Sequence, residues 1–131
     1  MGRQTHTHTH TQQQNCCQPF NVTGKMLRLE CPAQHYDWGK RGSLSTVAKL
    51  HRDNSGKETR EELAYAELWM GTHPSGPTTL AAGEKIPLKQ WLGAHPETLG
   101  EVLHNRWGAE LPYLFKILSV QTALSIQAHP D

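Results

Sequence analysis

The chain has 131 residues, enough for one ordinary domain, and its composition of 36% hydrophobic and 19% charged residues is somewhat polar for a packed fold. A net charge of +1 gives no electrostatic reason to expect nucleic acid or an anionic membrane as a partner. No apolar run approaches the roughly 20 residues that span a bilayer, and the N-terminus lacks the apolar core of a secretory signal. Three cysteines, two of them adjacent, do not describe a disulfide framework, so we expect a reducing, cytoplasmic setting.

Residues 1–25 are a low-complexity segment of alternating Thr and His followed by Gln and Asn. This composition offers too little apolar surface to offset the entropy of ordering, so we expect a disordered tail ahead of a domain at residues 26–131. His6, His8 and His10 would point the same way in an extended chain and could bind a transition metal. A metal-binding module centred on this tail is disfavoured because no fold holds the ligands in place.

The first half of the domain predicts short strands, one helix and a loop. Residues 27–31 alternate between apolar and charged types, as in a half-buried strand, and residues 34–38 form a second extended piece that Gly39 ends. Residues 43–50 predict a short helix. Residues 51–61 are polar and contain a turn signal, which predicts a surface loop.

Residues 64–70 are ambiguous between helix and strand. As a strand, they would place Tyr65, Glu67 and Trp69 on one face and the intervening apolar residues on the other. A Gly and Pro cluster at 71–77 then breaks the chain. Further on, residues 87–92 predict a short helix, and a second helix is predicted to begin at Pro96 and to end at Gly108.

The last twenty residues contain two candidate strands. Residues 111–120 are nearly all apolar apart from Lys116, and residues 123–129 alternate cleanly. The polar face of the second strand carries Ser125, Gln127 and His129. This face either meets water, or it lines a small β-barrel in which alternate side chains project into one cavity and can hold a metal ion.

Two charged residues in apolar surroundings present a similar choice. Lys116 either extends to the sheet edge or directs its ammonium into a pocket, where it could hold an anionic substrate. Glu67 lies between aromatic residues and is either a solvated carboxylate or part of the same pocket. The pattern alone leaves both alternatives open.

Four sequence blocks resemble the type I phosphomannose isomerases. Gln34–Gly39 resembles the family's Q-x-Y-x-W-G signature, and Tyr65–Pro74 resembles the block that follows it. Leu111–Val120 and Leu124–Pro130 resemble its most distinctive block. Four blocks in the right order across residues 27–131 are far more specific than one short motif.

The resemblance implies a mainly β fold, a cupin-type jelly-roll barrel with an additional helical segment, of which this chain is the N-terminal part. It implies a zinc ion bound by Gln, His, Glu and a second His. Gln127 and His129 match the first two ligands, and the other two are expected beyond residue 131. Lys116, Ser125, Glu67 and Trp38 match positions in or beside the sugar-phosphate pocket, whereas no residue is identified as the proton-transfer base.

The implied activity is the zinc-dependent interconversion of mannose 6-phosphate and fructose 6-phosphate, an aldose–ketose isomerisation that feeds GDP-mannose synthesis. The expected partner is therefore a small sugar phosphate, with no nucleic acid and no membrane. Because half of the zinc ligands are missing, we expect the 131-residue chain alone to be inactive and poorly stable. The alternative is a non-catalytic truncated product that binds a partner, if at all, through unpaired strand edges.

Overall fold

The computed structural model describes residues 26–125. Residues 1–25, with His6, His8 and His10, and residues 126–131, with Gln127 and His129, lie outside the described residues. The strands are β1 (Leu29–Glu30), β2 (Ala33–Gln34), β3 (Lys40–Arg41), β4 (Ala64–Tyr65), β5 (Glu67–Met70), β6 (Thr79–Leu80) and β7 (Phe115–Leu118). The helices are α1 (Thr46–Ser55), α2 (Leu88–Ala94) and α3 (Glu101–Trp107), with 3-10 helices at Gly42–Leu44 and Pro96–Thr98.

The strands pair in three small antiparallel sheets. The largest has the order β2-β5-β7, and the others pair β1 with β6 and β3 with β4. Within residues 26–125 no sheet closes into a barrel. None of the helices in this part of the chain is long and apolar enough to cross a bilayer.

The helix predicted at residues 43–50 forms as α1, but it begins later than predicted, at Thr46, and extends further, to Ser55. The hydroxyl of Ser45 caps its N-terminus by accepting a hydrogen bond from the Ala48 N–H, and the helix ends at Gly56, whose φ is 72°. The loop prediction for residues 51–61 is therefore wrong for its first five residues. The side chain of Asn54 accepts from the Cys31 N–H (2.7 Å) and donates to the Leu29 carbonyl (2.6 Å). These contacts with β1 and the residue after it hold residues 51–55 in a helix, although the polar side chains of this segment favour a loop.

The strand pattern of residues 64–70 is interrupted at Ala66. Tyr65 packs with Leu68 in the apolar cluster against α1, whereas Glu67 lines a cavity. The prediction that Tyr65 and Glu67 share one face is therefore wrong. The Ala66 N–H donates to the Gln34 carbonyl and the Ala66 carbonyl accepts from the Ser119 N–H, which separates β4 from β5 and shifts the alternation by one residue.

The helix predicted to begin at Pro96 is divided in two. Pro96 begins a 3-10 helix, and α3 starts only after Gly100, whose φ of 74° is incompatible with a continuous helix. Its end at Gly108 is confirmed. The apolar side chains Val102, Leu103 and Trp107 of α3 are exposed to solvent by 79%, 43% and 45%.

Two apolar clusters form the core. The first packs α1 against β1, β4 and β5, and the second packs α2 beneath β6. The first has buried members Cys31, Val47, Ala48, Tyr65 and Leu68, and the second has Leu80, Leu88, Trp91 and Leu92. The strand predicted at 123–129 is not seen in its described part, since residues 123–125 are irregular and exposed.

Candidate functional site

A cavity of about 260 Å³ opens beside the three-stranded sheet. Its lining residues, which come from β5, β7, the turn after β2 and the last described residues, are Tyr36, Trp38, Glu67, Lys116, Leu124 and Ser125. The four residues predicted for a sugar-phosphate pocket, Trp38, Glu67, Lys116 and Ser125, all belong to this list. Residues from both ends of the described part of the chain therefore meet at one concave surface.

The aromatic wall of the cavity lies in the turn after β2. The rings of Tyr36 and Trp38 stack with centroids 5.8 Å apart and an interplanar angle of 21°. The Trp38 carbonyl accepts hydrogen bonds from the N–H groups of Gln121 (2.9 Å) and Thr122 (3.2 Å). These two bonds bring the irregular segment 121–125, and with it Ser125, to the cavity.

Opposite the aromatic wall, β5 and β7 contribute one negative and one positive side chain. Trp69 lies directly across from Lys116 in the β5–β7 register, which places the ammonium next to Glu67, two residues earlier in β5. The Lys116 Nζ lies 3.1 Å from the Glu67 Oε2, and the Trp69 indole N–H donates to the same oxygen at 2.5 Å. Glu67 is only 7% exposed, and a carboxylate at this depth needs such partners.

Lys116 is therefore neither isolated in an apolar strand nor free in solvent. Its side chain is 37% exposed, and its ammonium lies 4.7 Å from the centroid of the Trp69 ring. Because Glu67 and Lys116 neutralise each other, the described lining has a net charge close to zero. Such a surface can exchange hydrogen bonds with sugar hydroxyls and stack aromatic rings on a sugar face, but it lacks surplus positive charge for a phosphate.

Sequence patterns did not identify every residue at this site. Tyr36 and Leu124 also line the cavity, and Trp69 contacts both charged groups. The position of Tyr36 two residues before Trp38 is a signal that could have found it. Leu124 was assigned to an apolar strand face, and no sequence pattern marks Trp69 as a neighbour of Lys116 on a distant strand.

The described residues do not form a metal site by themselves. No group of three or more His, Cys, Asp or Glu side chains between residues 26 and 125 is arranged to hold a metal ion. The predicted zinc ligands Gln127 and His129 lie outside the described residues. The Oε2 atom of Glu67 already contacts Lys116 and Trp69, which leaves only its Oε1 atom open to a ligand.

A second cavity, of about 310 Å³, lies around the ring of Tyr65 and is lined by His35, His51, Lys57 and Arg60 among others. The centroids of the His35 and His51 rings are 4.7 Å and 6.3 Å from that of Tyr65. Burial, aided by the nearby positive charge of Lys57, lowers the pKa of His51. This cavity contains none of the predicted site residues.

The family of the chain follows from its similarity to known proteins. A model described as the catalytic domain of type I phosphomannose isomerase matches residues 26–131. The chain belongs to this family. Mannose-6-phosphate isomerase of Schizosaccharomyces pombe is 49% identical over 106 residues, covering 81% of this chain and 25% of that protein. Mannose-6-phosphate isomerase 2 of Arabidopsis thaliana is 46% identical over 112 residues, covering 79% and 25%.

Solved structures agree with this assignment. Mannose 6-phosphate isomerase of Salmonella typhimurium, bound to its substrate and a zinc atom, superposes with a TM-score of 0.65 at 37% identity and covers 80% of this chain. The match confirms the predicted cupin-type fold at the level of the family. This chain spans about a quarter of the length of that structure and of the relatives named above.

Proposed function

We propose that residues 26–131 supply one wall of the sugar-binding cavity of a zinc-dependent mannose-6-phosphate isomerase. The observation that carries the proposal is the convergence of Trp38, Glu67, Lys116 and Ser125 on one cavity. The reaction in this proposal interconverts mannose 6-phosphate and fructose 6-phosphate in the cytoplasm, for use in GDP-mannose synthesis.

The polar lining suits the carbon chain of a sugar phosphate. Glu67 accepts hydrogen bonds and Lys116 donates them, so the pair can hold two neighbouring hydroxyl groups in a fixed orientation. Tyr36 and Trp38 provide the apolar surface against which a sugar packs. Isomerisation moves a proton between adjacent carbons and therefore requires those carbons to be held in one conformation.

The phosphate requires donors beyond the Glu67–Lys116 pair, because that pair has no surplus charge. Ser125, exposed at the edge of the cavity, is proposed to donate its hydroxyl to the phosphate. Gln127 and His129 are proposed as this chain's share of the zinc ligands. The chemistry that zinc supplies when bound is polarisation of the sugar's oxygens.

A hybrid enzyme tests the proposal directly. Residues 26–131 would replace the matching segment of the Schizosaccharomyces pombe relative, and the conversion of mannose 6-phosphate to fructose 6-phosphate would be measured. We expect the hybrid to be active and the purified 131-residue chain to be inactive. Turnover by the 131-residue chain itself would contradict the proposed division of the site.

Substitutions in the hybrid enzyme test whether Glu67 and Lys116 contribute to its activity. We expect Glu67→Gln and Lys116→Met to lower kcat/KM by at least about tenfold, the effect of losing one oriented polar contact. Lys89→Met is the matched control, because Lys89 pairs with Glu110 in a surface ion pair away from the cavity. An active hybrid in which Lys116→Met behaves like Lys89→Met would remove Lys116 from the site.

A further inference from the structure

Trp69 contacts both charged residues of the cavity although it does not line the cavity itself. Its indole N–H donates to the Glu67 Oε2 (2.5 Å), and its ring lies under the Lys116 ammonium, 4.7 Å from centroid to Nζ. Since the Lys116 Nζ is itself 3.1 Å from the Glu67 Oε2, the three residues form a closed triangle of contacts. One side chain therefore restrains both members of the ion pair.

The loop after β5 keeps the Trp69 ring in place. The His73 ring meets it edge-on, with centroids 5.1 Å apart at 78°. A Cβ added to Gly76 would lie 2.8 Å from the Trp69 Cε3 and 2.7 Å from the Gln34 Nε2. Trp69 is only 6% exposed, so the ring has no room to turn away from the ion pair.

Both contacts to Glu67 are made through the same oxygen. Within residues 26–125 the two donors to this carboxylate, Trp69 and Lys116, both reach Oε2. Glu67 lines the cavity, so its other oxygen, Oε1, remains to accept a hydrogen bond from a ligand. A carboxylate free to rotate about its last bond would present either oxygen and would hold a hydroxyl less firmly.

We infer that Trp69 is a positioning residue, which fixes Glu67 and Lys116 so that the cavity presents one carboxylate oxygen and one ammonium in a constant arrangement. The triangle of contacts is argued from the geometry alone, whereas the identity of the ligand as a sugar phosphate rests on the proposed function. Gly76 contributes to this positioning, because only glycine lets the loop after β5 approach the Trp69 ring this closely.

The triangle can be tested on the complete 131-residue chain by NMR. The chain has four tryptophans and hence four indole N–H signals, and Trp69→Phe identifies the one from Trp69. We expect Glu67→Gln and Lys116→Met each to shift that signal more than the other three. A Trp69 signal that neither substitution moves would overturn the inference, whatever the chain binds.

A matched pair of variants, Gly76→Ala and Gly93→Ala, tests the packing of Gly76 against the Trp69 ring. Gly76→Ala should shift the Trp69 signal, because the added methyl group displaces the ring toward the ion pair. Gly93→Ala is the control, since the nearest atom to its added Cβ is the Ala109 Cβ at 3.8 Å. If both substitutions shifted the Trp69 indole signal by the same small amount, the role given to Gly76 would be refuted.

Binding of fructose 6-phosphate to the hybrid enzyme described above, which carries residues 26–131, separates positioning from simple packing. Trp69 and Trp91 are equally buried at 6%, and Trp91 lies in the apolar cluster formed by α2 and β6 and does not line the cavity. We expect Trp69→Phe to raise by about tenfold the ligand concentration that half-shifts the Trp38 indole signal. Trp91→Phe should lower the melting temperature by a similar amount but leave that concentration unchanged. Equal effects of both substitutions would reduce Trp69 to a packing role. A wild-type hybrid enzyme in which fructose 6-phosphate moves no signal would count against the proposed function, while the Glu67 and Lys116 variants of the 131-residue chain would still decide on the triangle.

Discussion

The hydroxyl of Ser45 joins α1 to the strand beneath it. It donates to the Tyr65 carbonyl (2.8 Å) and accepts from the Ala48 N–H (3.3 Å), and the residue is fully buried. A single buried group thus caps the helix and satisfies a strand carbonyl. The cap could be read from the sequence as a Ser just before a helical pattern, but its strand partner could not, since twenty residues separate the two.

We expect Ser45→Ala to lower the free energy of unfolding by about 1 to 3 kcal/mol, because it removes a cap and leaves a buried carbonyl unpaired. Urea unfolding of the purified chain would measure this. Ser43→Ala is a suitable control, since the Ser43 hydroxyl bonds only to Glu61 at the surface. A loss no larger than that of Ser43→Ala would show that the cap is not important for stability.

We expect the stability of the chain to depend on pH through His51. Burial, and then the charges of Lys57 and His35, lower its pKa in the folded chain below the ordinary value of about 6.5, while Glu30 opposes the shift. Glu58, Arg60 and Tyr65 line the same cavity. Below that ordinary value the unfolded chain binds more protons than the folded chain, so stability falls as pH drops through about 6.5 and stops falling below the lower folded-state pKa.

The expected outcome is a melting temperature that decreases between about pH 7.5 and pH 5.5 in the wild-type chain and decreases less in His51→Gln, which cannot titrate. The exposed His73→Gln serves as the comparison. Identical pH profiles for wild type and His51→Gln would rule out His51 as the cause.

At the scale of elements, the close approach of Gly39 to Ala66 sets the position of the turn that carries Trp38. A Cβ on Gly39 would lie 2.6 Å from the Ala66 Cα and 2.7 Å from its Cβ. The Gly39 N–H also donates to the Tyr36 carbonyl at 2.9 Å. The interruption between β4 and β5 therefore contacts the turn that forms the aromatic wall.

Gly39→Ala should destabilise the chain by about 1 to 3 kcal/mol, as overpacking against backbone does, and should move the Trp38 ring away from the cavity. Chemical denaturation measures the first effect, and the indole N–H signal of Trp38 in the NMR spectrum measures the second. Gly93→Ala, in α2 with space for a methyl group, should be neutral or slightly stabilising. Matching results for the two variants would contradict the packing argument.

Local patterns predicted the elements well where local forces decide them. The end of α3 at Gly108 was predicted, because helix breakers act within a few residues, whereas α1 begins at Thr46, after its capping Ser45, and not at the predicted residue 43. The extension of α1 to Ser55 was missed, since Asn54 forms its bonds with a strand twenty-three or more residues away. The change of phase at Ala66 was missed for the same reason, because hydrogen bonds to Gln34 and Ser119 cause it.

At the scale of the whole molecule, several large apolar side chains are exposed in the described part of the chain, among them Val102, Tyr113, Phe115 and Leu118. Strand β7 pairs only with β5 within residues 26–125, so its other edge offers free backbone groups there. Exposed apolar surface beside a free strand edge promotes association. The family resemblance led us to expect Trp38, Glu67, Lys116 and Ser125 near one another, and they line one cavity. The pairing of Lys116 with Glu67 depends on strand register and was not predicted.

We expect the purified 131-residue chain to self-associate in a concentration-dependent manner, and Phe115→Glu to reduce this, because it places a charge on β7. Sedimentation velocity would measure the effect. Leu44→Glu alters an equally apolar, 75% exposed residue outside the β sheets and should change little. A monomeric wild-type chain at all concentrations would show that the free edge is already protected.

The neutralised pair of Glu67 and Lys116 also has a consequence for how binding responds to salt. Exposed charges attract ions over a range that falls to about 8 Å at physiological ionic strength, but a pair in mutual contact with one buried member, Glu67, is screened less. Recognition of the sugar's hydroxyl groups by this wall should therefore depend only weakly on salt. Any weakening of sugar-phosphate binding at high ionic strength would then report on the phosphate end of the ligand alone, so a salt titration can divide the affinity between the two ends.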